Sequence, residues 1–171
     1  MPSERPTQIM IGRHQGLLVI RLTGRCTMTM GTCLSNLLDQ CRRPQITDVY
    51  FDLSETEYID STCVGLVVSL ALRKNDPCVP GIHLYRPASG VLRVLDAMLV
   101  LAHLDRCDAL PATITTWKEL PAEVTDRDEL AAVIIDAHEN LIKADDRNAE
   151  VFGAVVDGLR AYRRDRKTKS V

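Results

Sequence analysis

The sequence predicts an α/β fold: one mixed sheet of about four to five strands with flanking helices, followed by a C-terminal α-helical extension. Three observations lead there. Short runs rich in β-branched and aromatic residues alternate with stretches whose apolar residues recur at helical spacing. The first two runs are joined only by His14-Gln15-Gly16, which reads as a hairpin turn and makes the first strand pair antiparallel. Beyond residue 126 the strand signals stop and helical spacing takes over. Right-handed βαβ crossovers are expected for the remaining strands.

In chain order, residues 7–13 and 17–23 are the two hairpin strands, and Gly24 to Met28 reads as a loop. A helix is predicted from Thr29 or Met30 to about Arg42. Leu34, Leu37, Leu38 and Cys41 form its stripe, and Pro44 ends it. Residues 48–53 form a buried strand, a polar turn follows, and a helix spans 62–73 with Val64, Val67, Val68, Ala71 and Leu72 at helical spacing. Residues 75–81 break the chain with Pro, Asn, Asp and Gly. A strand over Ile82 to Tyr85 and a helix from Ala88 to about Val100 come next, and a short strand near Cys107 to Leu110 closes the sheet.

This divides the chain into a domain over 1–110, a linker over 111–125 and helices over 126–171. Pro111 and Pro121 bracket the linker, and Trp117, the single Trp, is read as its anchor on the domain. Thr125 or Asp126 can cap the first C-terminal helix, with Asp128 and Glu129 suited to its positive end. Leu130, Val133, Ile134, Leu141 and Ile142 form one apolar stripe; Phe152, Val155, Val156 and Leu159 form another. Lys143-Ala-Asp-Asp146 either turns the chain into a helical hairpin or continues one long helix, since 4/3 spacing persists through Val155. Two helices are the preferred reading. The basic run Arg160 to Lys169 suits a helix C-terminus followed by a frayed tail.

The most informative stretch is Val49 to Arg73. It sets a hydroxyl at the positive end of a helix, at the mouth of a βα unit. Ser61 or Asp60 is the natural N-cap, because a side-chain oxygen there accepts a free backbone N–H. A phosphate on Ser61 would sit favourably near the helix dipole. It would also change any surface that docks there, by about −1.5 to −2 charges.

Composition bounds the function. The 171 residues carry a net charge of −2, against the strongly basic balance of a dedicated nucleic-acid binder. No apolar run is long enough for a membrane-spanning helix, and the N-terminus lacks the apolar centre of a signal peptide. A cytoplasmic protein without nucleic-acid or membrane contact is expected. Six cysteines without a CxxC pair then read as free thiols, mostly small buried hydrophobes. Cys63, at a helix start, is the one whose thiol pKa that position could lower. His14, His83, His103 and His138 lack metal-ligand spacing, so no metal is expected, and His138 beside Asp136 and Glu139 reads as part of a polar face. Ser61 has no Gly-x-Ser-x-Gly surroundings and the chain has no phosphate-cradling Gly-rich loop. Neither an enzyme nor a cofactor is expected.

Asp60-Ser61-Thr62-Cys63-Val64-Gly65-Leu66 resembles the Asp-Ser-Ser/Thr-Gly-Leu-Gly signature of STAS domains, specifically bacterial anti-sigma factor antagonists. Phe51 to Ile59, Leu18 to Gly24 and Ile82 to Leu95 resemble the neighbouring segments of that family, so the likeness covers roughly residues 7–110. Cys63 stands where the family usually has Gly, and Thr27 where it often has Asp; Arg25 lies in the same loop. The resemblance implies a STAS-like sheet and a phosphorylated Ser61. It implies a partner surface at Arg25, Thr27, Asp60, Ser61, Thr62, Cys63 and Val64. The implied partners are an anti-sigma factor that is often also a serine kinase, released on phosphorylation, and a PP2C-type phosphatase that reverses it. The helical extension resembles that of some proteobacterial antagonists. It either packs on the STAS domain or offers a surface for dimerisation or a second protein. The alternative function is a STAS accessory subunit of a transport or other signalling complex, with Ser61 as a structural helix cap.

Overall fold

A computed structural model describes residues 5–41, 45–73, 79–121 and 126–169. Arg42, Pro44 and Thr125, which the sequence reading invoked, lie outside them, as does Cys78, one of the six cysteines. The elements are β1 Gln8–His14, β2 Leu17–Cys26, α1 Gly31–Gln40 after a 3-10 turn at Met28–Met30, β3 Asp48–Asp52, β4 Thr56–Ile59, α2 Ser61–Ala71 and β5 Gly81–Tyr85. They continue with α3 Ser89–Ala97, a 3-10 turn at Leu101–His103, β6 Asp105–Cys107, β7 Trp117–Leu120, α4 Arg127–Ala144 and α5 Asn148–Lys169.

The sheet runs β6-β5-β3-β2-β1-β7, with β4 added beside the end of β2. The β1–β2 hairpin is antiparallel, from Gln8 opposite Thr23 to His14 opposite Leu17. The β2–β3, β3–β5 and β5–β6 pairs are parallel, as βαβ crossovers require. The α/β class with a mixed sheet, flanking helices and C-terminal helices is thus the one predicted.

The sheet has seven strands rather than four to five. The segment read as a loop at 24–28 begins as the end of β2, which shifts register at Gly24/Arg25 and pairs with β4. Gly24 sits at φ +67, and a Cβ there would meet the Arg5 carbonyl oxygen at 2.7 Å. The second addition lies in the stretch expected to be a linker: β7 pairs antiparallel with β1, Ile9 opposite Leu120 through Gly12 opposite Trp117. It is an edge strand with Lys118 and Glu119 exposed, so it lacks the apolar run of a central strand. Trp117 lies under the Arg21 guanidinium at 4.1 Å. Arg21 Nε in turn donates to buried Asp52 Oδ2 at 2.7 Å. The predicted helix over 88–100 stops at Ala97, Leu99 adopts φ 57, and β6 therefore falls earlier than 107–110.

The C-terminal residues form two helices. Asp145 leaves helical geometry at φ −155, ψ 124. Buried Asn148 then donates from Nδ2 to Leu141 O and Met98 O, each at 2.8 Å, which holds the reversal. Arg160 pairs with Glu139, and Arg163 donates to Asp128 at 3.0 and 3.1 Å, so α4 and α5 are joined to each other. The basic segment Arg160 to Lys169 belongs to α5 throughout.

The helical pair shares the sandwich's core. One apolar cluster runs from Leu18, Ile20 and Phe51 in the sheet through Val64 and Val67 of α2 to Val133, Ala137, Leu141 and Phe152. Where α4 crosses α2 the backbones nearly touch: a Cβ on Gly65 would lie 2.1 Å from the Ala137 carbonyl oxygen.

Candidate functional site

The start of α2 is built from three connected pieces. Asp60 N donates to Cys26 O at 3.0 Å, extending the β2–β4 pairing to the helix. Asp60 is extended at φ −94, ψ 174, and its two carboxylate oxygens divide the work. Oδ1 accepts Cys63 N at 2.9 Å and caps α2, and Oδ2 accepts Met28 N at 2.6 Å, holding the 3-10 turn beside the helix. An anionic cap also suits the dipole at this end. Of the two candidate caps, Asp60 is the one used, and Ser61 is the first helical residue.

Ser61 is half-buried, and its hydroxyl meets α4: Oγ lies 2.8 Å from His138 Nε2. The other ring nitrogen, Nδ1, lies 2.9 Å from the Ile134 carbonyl oxygen. A carbonyl only accepts, so Nδ1 carries a proton and donates. Burial lowers the His138 pKa, opposed by the Ile134 bond and the Asp60 charge. In the neutral ring Nε2 is then an acceptor, and the Ser61 hydroxyl donates to it. Phe152 of α5 braces the imidazole, ring centroids 5.0 Å apart.

The structure brings Arg25, Thr27, Asp60 and Ser61 to one end of the sheet. Arg25 pairs with Tyr58 across β2–β4, and its guanidinium lies 4.6 Å above the Tyr58 ring. Thr27 Oγ1 is 2.9 Å from Thr29 Oγ1, beside the exposed Met28 side chain. Thr62, Cys63 and Val64, expected on the same docking surface, are instead 3%, 0% and 0% exposed. Thr62 and Val64 belong to a helix turn enclosed between the sheet, α1 and α4. The Cys63 thiol donates to Thr27 O at 3.3 Å. Burial first, then the Asp60 charge, raise its pKa, which corrects the expectation that a helix start lowers it. Burial likewise pushes Cys26 up to about 12 and Cys41 up to about 11. Cys26, Cys33, Cys41, Cys63 and Cys107 are free thiols.

His138 is the site residue that sequence reasoning missed. Read as part of a polar face, it is only 5% exposed. The available signal was its spacing: Ile134, His138 and Leu141 lie on one helical face, so the His interrupts an apolar stripe.

Chemically, the pair presents a serine hydroxyl to an accepting imidazole. The imidazole is oriented by a carbonyl of its own helix rather than by a carboxylate, unlike a hydrolytic triad. Among the described residues no group of His, Cys, Asp and Glu is placed to hold a metal ion. No helix among them is long and apolar enough to cross a membrane.

No family model matches the sequence, and no curated protein matches it. Solved structures that are similar in part include two of different kinds. One is the anti-sigma factor antagonist SpoIIAA in its unphosphorylated form, 18% identical over 58% of this chain and 87% of that one, with a TM-score of 0.45. The other is SLC26A9, 12% identical over 90% of this chain and 27% of that one, with a TM-score of 0.41.

Proposed function

We propose that this chain is a STAS-type anti-sigma factor antagonist working by partner switching, with Ser61 as the switch. In this reading unphosphorylated Ser61 docks on an anti-sigma factor that doubles as a serine kinase. Phosphorylation of Ser61 releases it, and a PP2C-type phosphatase resets the state. The observation that supports it best is the division of labour at the helix start. Asp60 supplies the cap through Cys63 N, so the Ser61 hydroxyl is not the cap of α2. That counts against Ser61 being a structural cap, the role it has in the accessory-subunit alternative.

The switch needs no catalytic residue in this chain. A phosphate adds about −1.5 to −2 charges. Burying those charges at an interface without cations weakens binding by several kcal/mol, on the order of the roughly 3–5 kcal/mol that an unpaired buried charge costs. Arg25, stacked on Tyr58 at the same end of the sheet, is the cation that this reading places in the partner surface.

The test compares full-length Ser61→Ala and Ser61→Asp as baits, with bound proteins identified by mass spectrometry and the wild-type chain from cells checked for a phosphate on Ser61. Retention by Ser61→Ala of a kinase or anti-sigma factor that Ser61→Asp releases, with phosphate found on Ser61, is the expected result. Identical partners for both variants and no phosphate at that position would sink the reading.

A further inference from the structure

We infer that α4 and α5 form a displaceable guard over Ser61: they occupy the surface that a partner would take at the start of α2 and withhold the Ser61 hydroxyl from phosphorylation until they lift. The inference rests on Ser61 being the switch residue, and it adds the regulation of that site.

The first ground is that the hydroxyl is already engaged. Ser61 Oγ is 2.8 Å from His138 Nε2. The imidazole has no slack, since Nδ1 is held by Ile134 O, Phe152 lies against the ring and the residue is 5% exposed. A phosphoryl group arriving on Oγ needs room for three more oxygens, and a kinase needs an approach in line with the bond being made. A braced, buried side chain stands at hydrogen-bonding distance from the oxygen that must attack.

The second ground is that α4 and a docking partner exclude one another. Thr62, Cys63 and Val64 are buried. At the next residue the Ala137 backbone lies so close that Gly65 has no room for a Cβ. Further along, Val133 and Leu130 of α4 lie beside Gly31, next to Thr62. A protein that reads the first turns of α2 must take the place of α4.

The third ground is that the helical pair is built as a unit. Its ion pairs, Arg160 with Glu139 and Arg163 with Asp128, run between α4 and α5, so lifting the two helices together does not require breaking them. Polar ties across the seam include Ser61–His138, His103 Nε2 to Ala144 O at 2.9 Å and Asn148 Nδ2 to Met98 O. The seam also holds apolar contacts of Val133, Ala137 and Leu141, which a partner helix could replace.

Gly65→Ala tests the guard. The added methyl collides with the Ala137 backbone, while alanine is the better residue for α2 itself. The second variant, His138→Ala, removes the imidazole that lies beside position 61 and leaves the residues of α2 unchanged. Each is combined with Ser61→Cys in the full chain and treated with iodoacetamide. Labelling of the thiol introduced at position 61 is resolved from Cys63 by peptide fragmentation, and amide exchange is followed in parallel. Relative to Ser61→Cys alone, labelling should accelerate about tenfold or more with either added substitution. Exchange should rise in α4 and α5 while β2, β3 and β5 stay protected. Fast labelling of Ser61→Cys alone, no acceleration with either variant, or exchange rising equally through the sheet would overturn the guard. None of these outcomes depends on the identity of a partner, so the guard can fail while the switch stands, and the reverse.

Discussion

At the scale of single residues, His138 makes stability depend on pH, and the sign follows from its surroundings. Burial penalises the imidazolium, so the folded-state pKa lies below the ordinary value. The unfolded chain therefore takes up the proton first as pH falls. The contribution of neutral His138 is present above the ordinary histidine pKa of about 6.5 and is lost as pH falls through that value toward the lower folded one. Asp60, facing the ring from the cap of α2, opposes this, and Asp136 and Glu139 are acids on its own helix. We expect the Tm of the wild-type chain to fall more between pH 7.5 and 5.5 than that of His138→Gln. Parallel slopes in a thermal unfolding series would show that His138 is not responsible. The residue also marks a limit of sequence reading: its spacing was visible, but its partner was not.

At the scale of elements, α2 was legible because its signals are local. Apolar residues recur at helical spacing from Val64, and an acid and a hydroxyl precede them. Either residue can accept the same N–H, so the local pattern does not choose between them; the extended backbone at Asp60 and its second bond to Met28 N decide it. Asp60→Ala should therefore destabilise the chain by about 1–2 kcal/mol, with Ser61→Ala costing clearly less. Urea unfolding of both variants checks the order, and equal losses would return the capping role to Ser61. Thr56–Ile59 was read as a turn because β4 is short, carries exposed Glu57 and Tyr58, and pairs only with the bulged end of β2. The buried surface of α4 is wider than its apolar stripe. Ala131, Val133, Ile135, Ala137, His138 and Leu141 are all buried, because α4 lies between α2 and α5 and uses two sides.

At the scale of the whole molecule, the stretch expected to be a linker is integral to the sheet. β7 closes the sheet edge beside β1, and Arg21 links that edge to the interior by stacking on Trp117 and pairing with Asp52. Asp52 is 0% exposed and also accepts Ser54 Oγ at 2.6 Å, so its charge is partnered on two sides. Replacing Arg21 by Met leaves a buried carboxylate without its cation and removes the stack on β7. The cost should be about 3 kcal/mol, measured by urea unfolding. A loss well under 1 kcal/mol would mean that the pair is effectively solvated.

By itself the sequence determined what is encoded within a few consecutive residues. The hairpin, the central strands, the helix periods and a hydroxyl beside an acid at the start of α2 all follow from side-chain spacing and capping chemistry. The tertiary structure decided what depends on distant partners. Edge strands β4 and β7 exist because β2 and β1 offer them a ladder. The imidazole that holds Ser61 comes from 77 residues away. Local patterns say which face of an element is apolar. They do not say which other element covers it, and that choice places α4 over the serine.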